Sequence, residues 1–121
     1  MKPKLRVWVT FGDDFKFGDG RARLLALIDQ HGSLRQAADA FEMSYRHAWG
    51  YLRELERAAG FKFVERGPGG GPRSGMRLTA AGRQFVERYQ RFRASLDTAM
   101  RREFDRAFKG RAPRPRGKTT M

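Results

Sequence analysis

Ser33-Leu34-Arg35-Gln36-Ala37-Ala38 and Met43-Ser44-Tyr45-Arg46-His47-Ala48-Trp49 are two short helical patterns, each opened by a serine. Ser33 with Gln36 makes a Ser-x-x-Gln capping box, which predicts a helix over Leu34 to Phe41. Ala37 and Ala38 are small enough for a second helix to cross closely, with Phe41 and Met43 as bulk on either side of the turn. Glu42 stands where such turns often carry glycine; a left-handed conformation there costs glutamate on the order of 1 kcal/mol. Ser44 caps a second helix over Tyr45 to Ala59, and Gly60 stops it. Lys62 to Arg66 then reads as a strand and Met76 to Thr79 as its partner. The stretch between them, Gly67 to Gly75, is rich in glycine and proline and too long for a tight hairpin turn. Two helices, a turn and a basic hairpin in this order make a helix-turn-helix followed by a β-wing. The expected fold class is mainly α with a small β component: a winged helix-turn-helix with a long C-terminal dimerisation helix.

Upstream, Leu5, Val7, Val9 and Phe11 alternate with Arg6, Trp8 and Thr10, the period of a half-buried strand. Gly12-Asp13-Asp14 is a turn signal, and Phe15 and Phe17 suit a short return strand. Asp19 is a candidate N-cap for a helix whose apolar face is Leu24, Leu25, Leu27 and Ile28, with Gly32 as its left-handed end. Downstream, Thr79 can cap a last helix carrying the stripe Phe85, Tyr89, Phe92, Leu96, Met100, Phe104 and Phe108. From Ala80 to Phe108 such a helix is about 43 Å long. Its far half keeps large apolar residues with nothing evident in its own chain to cover them. A second copy is the simplest cover, with Phe85, Tyr89, Phe92, Leu96, Met100 and Phe104 as dimerisation residues. The alternative is a helix folding back on the N-terminal strand. The expected organisation is a winged helix-turn-helix with an N-terminal β-hairpin over 1–79, the dimerisation helix over 80–108 and a disordered basic tail over 109–121.

The chain has 121 residues and a formal net charge of +13. Only five of the cations (Lys109, Arg111, Arg114, Arg116 and Lys118) lie in the tail, so the body itself is basic. Such an excess favours a polyanionic partner, most simply nucleic acid. There is no cysteine, which excludes disulfides and thiolate metal sites. Two histidines, His31 and His47, make no closed zinc set, so no metal and no cofactor is expected. Gly117-Lys118-Thr119 lacks the loop of a phosphate-binding motif, because Ala112 stands where its first glycine belongs. Gly18-Asp19-Gly20 fails the dinucleotide pattern at Arg23. Asp13, Asp14 and Asp19 are explained by turns and capping. No nucleophile–base set is present, so an enzyme is not expected. No apolar run approaches the roughly 20 residues that span a bilayer, and Met1-Lys2-Pro3-Lys4-Leu5 opens no signal peptide. A cytoplasmic, nucleoid-associated location without membrane contact is the expectation.

On a helical wheel of about 100° per residue, Ala48, Leu52, Leu55 and Ala59 form the core face of the second helix. Arg46, Gly50, Arg53 and Arg57 fall nearly opposite. Arginine forks suit guanine O6 and N7, and the glycine lets the backbone approach. Arg46 and Arg53 are the candidate base readers; Arg57, near the far end, reads as a solvated cation. Tyr45 and Trp49 lie between the two faces and are candidates for sugar or thymine-methyl contact, partial burial being the alternative. His47 reads as a surface residue. Ser33 and Ser44 cap helices whose free N–H groups can meet phosphates. In the wing, Arg66, Arg73, Ser74 and Arg77 are candidates for minor-groove or phosphate contact.

These segments, together with Val64-Glu65-Arg66 and Arg77-Leu78-Thr79-Ala80-Ala81-Gly82, resemble the DNA-binding domain of the ModE family of molybdate-responsive transcription regulators. More distantly they are similar to the winged helix-turn-helix of LysR-type regulators. The resemblance covers residues 5–96. It implies a homodimer joined through long helices on a near-palindromic operator, with Ser44, Tyr45, Arg46 and Trp49 in the major groove and Arg66 and the Arg73 loop on the flank. The basic tail has no room for an oxyanion-binding barrel, so molybdate sensing by this polypeptide is not expected. A separate effector-sensing partner, another signal and constitutive binding stay open. The functional expectation is a sequence-specific, homodimeric, double-stranded-DNA-binding transcription regulator. The alternatives are a sequence-tolerant architectural DNA-binding protein and a winged-helix module that binds protein.

Overall fold

The computed structural model describes residues 1–67 and 75–108. Its elements are β1 (Val9–Phe11), β2 (Phe15–Phe17), α1 (Asp19–His31), α2 (Leu34–Ala40), α3 (Tyr45–Ala59), β3 (Val64–Arg66), β4 (Met76–Leu78) and α4 (Ala80–Phe108). The fold is a winged helix with a long last helix, as the sequence pattern predicts. Both two-stranded sheets are antiparallel: β1 pairs Val9 with Phe17, and β3 pairs Val64 with Leu78. The expected basic tail, from Lys109 on, and most of the wing loop lie outside the described residues.

Most of the helix boundaries have an identifiable cap. The Ser33 and Ser44 hydroxyls accept from the backbone N–H groups of Gln36 and His47, at 3.1 and 3.0 Å. The Thr79 hydroxyl accepts from Gly82 N–H at 2.9 Å and donates to the Lys62 carbonyl at 2.7 Å, so one side chain starts α4 and ties it to the approach of β3. Gly32 and Gly60 end α1 and α3 in the left-handed region. The turn after α2 closes in the same way with a glutamate: Glu42 has φ 58°. Met43 N–H donates to Ala38 O and Glu42 N–H to Asp39 O, the paired bonds of a Schellman cap.

Two expectations are corrected. The strand reading over Leu5 to Phe11 shrinks to Val9–Phe11, because β2 offers only three partners before the chain turns into α1. Asp19 does not cap α1; Gly18 holds that position, and Asp19 is the first helical residue. Its Oδ1 instead accepts from the Tyr89 hydroxyl at 2.6 Å, stitching the start of α1 to α4.

The described residues divide into two units, Val7–Gln90 and a second made of Met1–Arg6 with the chain from Arg91. In the first, Leu24, Leu25 and Ile28 of α1, Ala37 and Ala38 of α2, and Ala48, Leu52 and Leu55 of α3 are all buried. Phe17 and Phe63 fill the centre with no exposed surface. Phe85 meets both edge-on, at 5.0 and 5.5 Å between ring centroids, and Tyr89 meets Phe17 at 5.2 Å. Gly82 makes this packing possible: a Cβ there would lie 2.5 Å from the Phe63 carbonyl oxygen. Glu56 closes the back of α3 by accepting from the N–H groups of Phe63 and Val64, at 2.7 and 3.2 Å.

In the second unit, Arg93 donates to the Leu5 carbonyl and to Asp97 Oδ1, both at 2.7 Å. A cavity of about 410 Å³ opens between Lys2 and Pro3 on one side and Met100, Arg101, Phe104 and Asp105 on the other. The N-terminal residues therefore lie along the far half of α4. That corrects the expectation of a stripe with nothing of its own chain beside it. Leu96, Met100 and Phe104 are half-buried, whereas Phe92 and Phe108 are 46% and 39% exposed.

Candidate nucleic-acid interface

The amphipathic pattern of α3 decides which residues it can offer. Ala48, Leu52 and Leu55 face the core, which turns Arg46, Gly50 and Arg53 outward, all three exposed. Tyr45 is 38% exposed and Trp49 half-buried against the core. The two rings meet edge-on at 6.4 Å. The Arg53 guanidinium lies 5.9 Å from the Trp49 ring, and that of Arg35, on α2, lies 4.2 Å over the Tyr45 ring. Arg35, Tyr45, Trp49 and Arg53 thus form a run of cation, ring, ring and cation at the front of the two helices. Such stacks hold a guanidinium in place and leave its forked N–H edge free to donate. Ser44 is exposed beside this run, Ser33 is half-buried at the head of α2, and His47 and Arg57 are exposed.

Arg35 escaped the sequence reading. Its signal was available: an exposed arginine two positions after a capping serine, beside a helix start. Arg21 escaped it too. Its guanidinium sits 4.3 Å over Phe15 and 3.8 Å over Tyr51, and Nη1 donates to the Lys16 carbonyl at 2.8 Å. It therefore clamps β2 and α1 to the core side of α3. Burial pushes its pKa below the usual arginine value, against the opposing pull of Tyr51 and Glu54. Nothing in local sequence marks that contact.

The wing is divided. Arg66 is exposed at the end of β3. Arg77 is also exposed, but its Nε donates to Glu65 Oε2 at 3.0 Å, directly across the ladder. Part of its charge is therefore spent inside the hairpin. Arg73 and Ser74 lie outside the described residues. Met76 N–H donates to the Gly32 carbonyl at 3.0 Å, so β4 begins against the residue that precedes Ser33. The wing base and the entry to α2 are neighbours.

Of the dimerisation set, Phe85 and Tyr89 belong to the core of the first unit. Tyr89 is 4% exposed and bonded to Asp19, and Phe85 is surrounded by Phe11, Phe17, Phe61 and Phe63. The stripe is continuous in sequence but changes function along the helix, because its first turns lie against the winged body. Phe92, Leu96, Met100 and Phe104 remain as the apolar face of the far half. Among the described residues there is no cluster of three or more metal-ligating side chains, and no helix is long and apolar enough to cross a membrane.

Residues 21–83 match the family described as bacterial regulatory helix-turn-helix protein, LysR family. Over 88 residues the chain is 33% identical to the molybdenum transport protein ModE of Azotobacter vinelandii, covering 73% of this chain and 33% of that protein. Over 69 residues it is 35% identical to the transcriptional regulator ModE of Haemophilus influenzae, covering 57% of this chain and 27% of that one. It thus spans a third or less of the length of these curated relatives. Among solved structures, the CbnR DBD–DNA complex superposes with a TM-score of 0.56 at 23% identity, over 71% of this chain and 93% of that one. At that identity the likeness is one of fold.

Proposed function

Because the chain belongs to the LysR family of bacterial regulatory helix-turn-helix proteins, we propose that it regulates transcription as a homodimer that binds double-stranded DNA in a sequence-specific manner. The observation that carries this reading is the outward face of α3, where Arg46, Gly50 and Arg53 stand exposed behind a capped N-terminus while Ala48, Leu52 and Leu55 are buried. In the major groove Arg46 and Arg53 read base edges, and Tyr45 and Trp49 meet sugars or thymine methyls. Ser33, Ser44 and the helix starts they cap position the chain on phosphates. Arg66, Arg77 and the wing loop with Arg73 and Ser74 take the flanking minor groove. Phe92, Leu96, Met100 and Phe104 supply the contact between copies. Binding alone is the mechanism, and no cofactor enters it.

Selection of bound fragments from a random duplex library, followed by competition, tests the reading. Arg46→Ala is expected to cost about 1–3 kcal/mol on the selected site and to relax base preference there. Equal losses on selected and random duplex refute base reading by Arg46 and favour the architectural alternative, which the charge of +13 also suits. Sedimentation equilibrium is expected to give twice the monomer mass; a monomer at all concentrations removes the dimer.

A further inference from the structure

Asp29 stands on the last turn of α1, outside the set of residues assigned to the interface. One carboxylate nonetheless ties α1 to two other elements. Its Oδ1 accepts from Leu78 N–H of β4 at 3.3 Å and from Arg83 Nη2 of α4 at 2.8 Å, and its Oδ2 takes the same Nη2 at 3.1 Å. Leu78 and Met76 are two residues apart on one strand, so their N–H groups point to the same side. Met76 N–H goes to the Gly32 carbonyl at the end of α1. The inner edge of β4 is therefore hydrogen-bonded to α1 at two successive positions, one a backbone oxygen and one Asp29.

The approach is close. Gly75, with φ 77°, passes so near Gly32 that a Cβ would clash with the Gly32 carbonyl oxygen. A carbonyl and a carboxylate, not apolar packing alone, thus fix the side of β4 that faces α1. Gly32 is followed at once by Ser33, the cap of α2, so the angle between wing and helix-turn-helix is set at this junction. β3 and β4 are only three residues each, and a ladder that short resists rotation weakly by itself.

We propose that Asp29 is a positioning residue for the wing: its carboxylate holds β4 at the angle that brings the wing cations onto the DNA flank. The proposal rests on the DNA-binding reading above and adds a residue that touches no DNA. It also predicts a sign. Removing an acid from a protein that binds a polyanion raises affinity on charge grounds alone. Loss of the wing's position lowers it.

The test is fluorescence anisotropy with a short mixed-sequence duplex across a salt series, on Asp29→Ala, Asp29→Asn and the unaltered chain. Both variants are expected to bind more weakly despite the lost negative charge. Asp29→Ala weakens binding about fivefold, and Asp29→Asn, which keeps an acceptor for Leu78 N–H, less. The salt slope is expected to flatten by about one, as if a phosphate contact had been removed. In a chain already carrying Arg66→Ala, Arg73→Ala and Arg77→Ala, Asp29→Ala should cost nothing further. Unchanged or tighter binding by a folded variant overturns the proposal, and so does an equal loss in the wing-depleted background. If Asp29→Ala does not fold, Asp29→Asn decides on the same readouts. Failure of the unaltered chain to bind duplex defeats the parent reading instead.

Discussion

The two hairpins have strands of the same length and the same antiparallel pairing, yet they differ in what they carry near the turn. In each, the first rung faces inward: Val9 with Phe17, and Val64 with Leu78. In each, the second rung faces water: Thr10 with Lys16, and Glu65 with Arg77. They part at the third. β1–β2 places Phe11 opposite Phe15 and keeps an apolar pair packed on the core up to its turn. The wing places exposed Arg66 opposite Met76, which still packs on the core and donates its N–H to the Gly32 carbonyl, so only one side of the third rung turns a charge to solvent. A single residue of the third rung, Arg66 in place of an aromatic ring, separates a wholly apolar pair from one that carries a charge.

Phe17→Ala is the harshest way to break this contrast. It empties a fully buried site among Phe63, Phe85 and Tyr89 and is expected to cost about 3–5 kcal/mol, measured by chemical denaturation. A cost under about 1 kcal/mol would mean that the first hairpin is as peripheral as the wing. On the wing, Arg66→Ala is expected to leave stability within about 0.5 kcal/mol while weakening binding to every duplex by about 1 kcal/mol. A large loss of stability would make Arg66 part of the fold. The smallest effect sharpens the second rung. Glu65→Gln releases Arg77 from its cross-strand partner and is expected to tighten DNA binding by about 0.5 kcal/mol at low salt. Weaker binding would show that the pair holds Arg77 in its productive position.

What was legible in the sequence was whatever depends on neighbours along the chain. The bounds of α3 and α4 and the serine caps follow from residues within a turn or two, whereas Glu42 takes its left-handed conformation against glutamate's own preference. The outward set on α3 followed from its apolar period. The strand at Leu5 was over-read because alternation continues past the last available partner. Tyr89 looked like one of a uniform stripe; only the fold brings it to Asp19, seventy positions away. Arg21 over Tyr51 and Asp29 on Leu78 are likewise contacts between distant segments, and no local pattern encodes them.

On the proposed DNA-binding reading, the Arg35–Tyr45–Trp49–Arg53 run bears on the entropic cost of engaging a duplex. Long flexible side chains lose about 0.5–1.5 kcal/mol each in rotamer freedom when a partner immobilises them. Arg35 already rests on the Tyr45 ring, while Arg53 lies at the outer edge of such contact with Trp49. On the proposed reading, part of that cost is already met for Arg35 in the free chain.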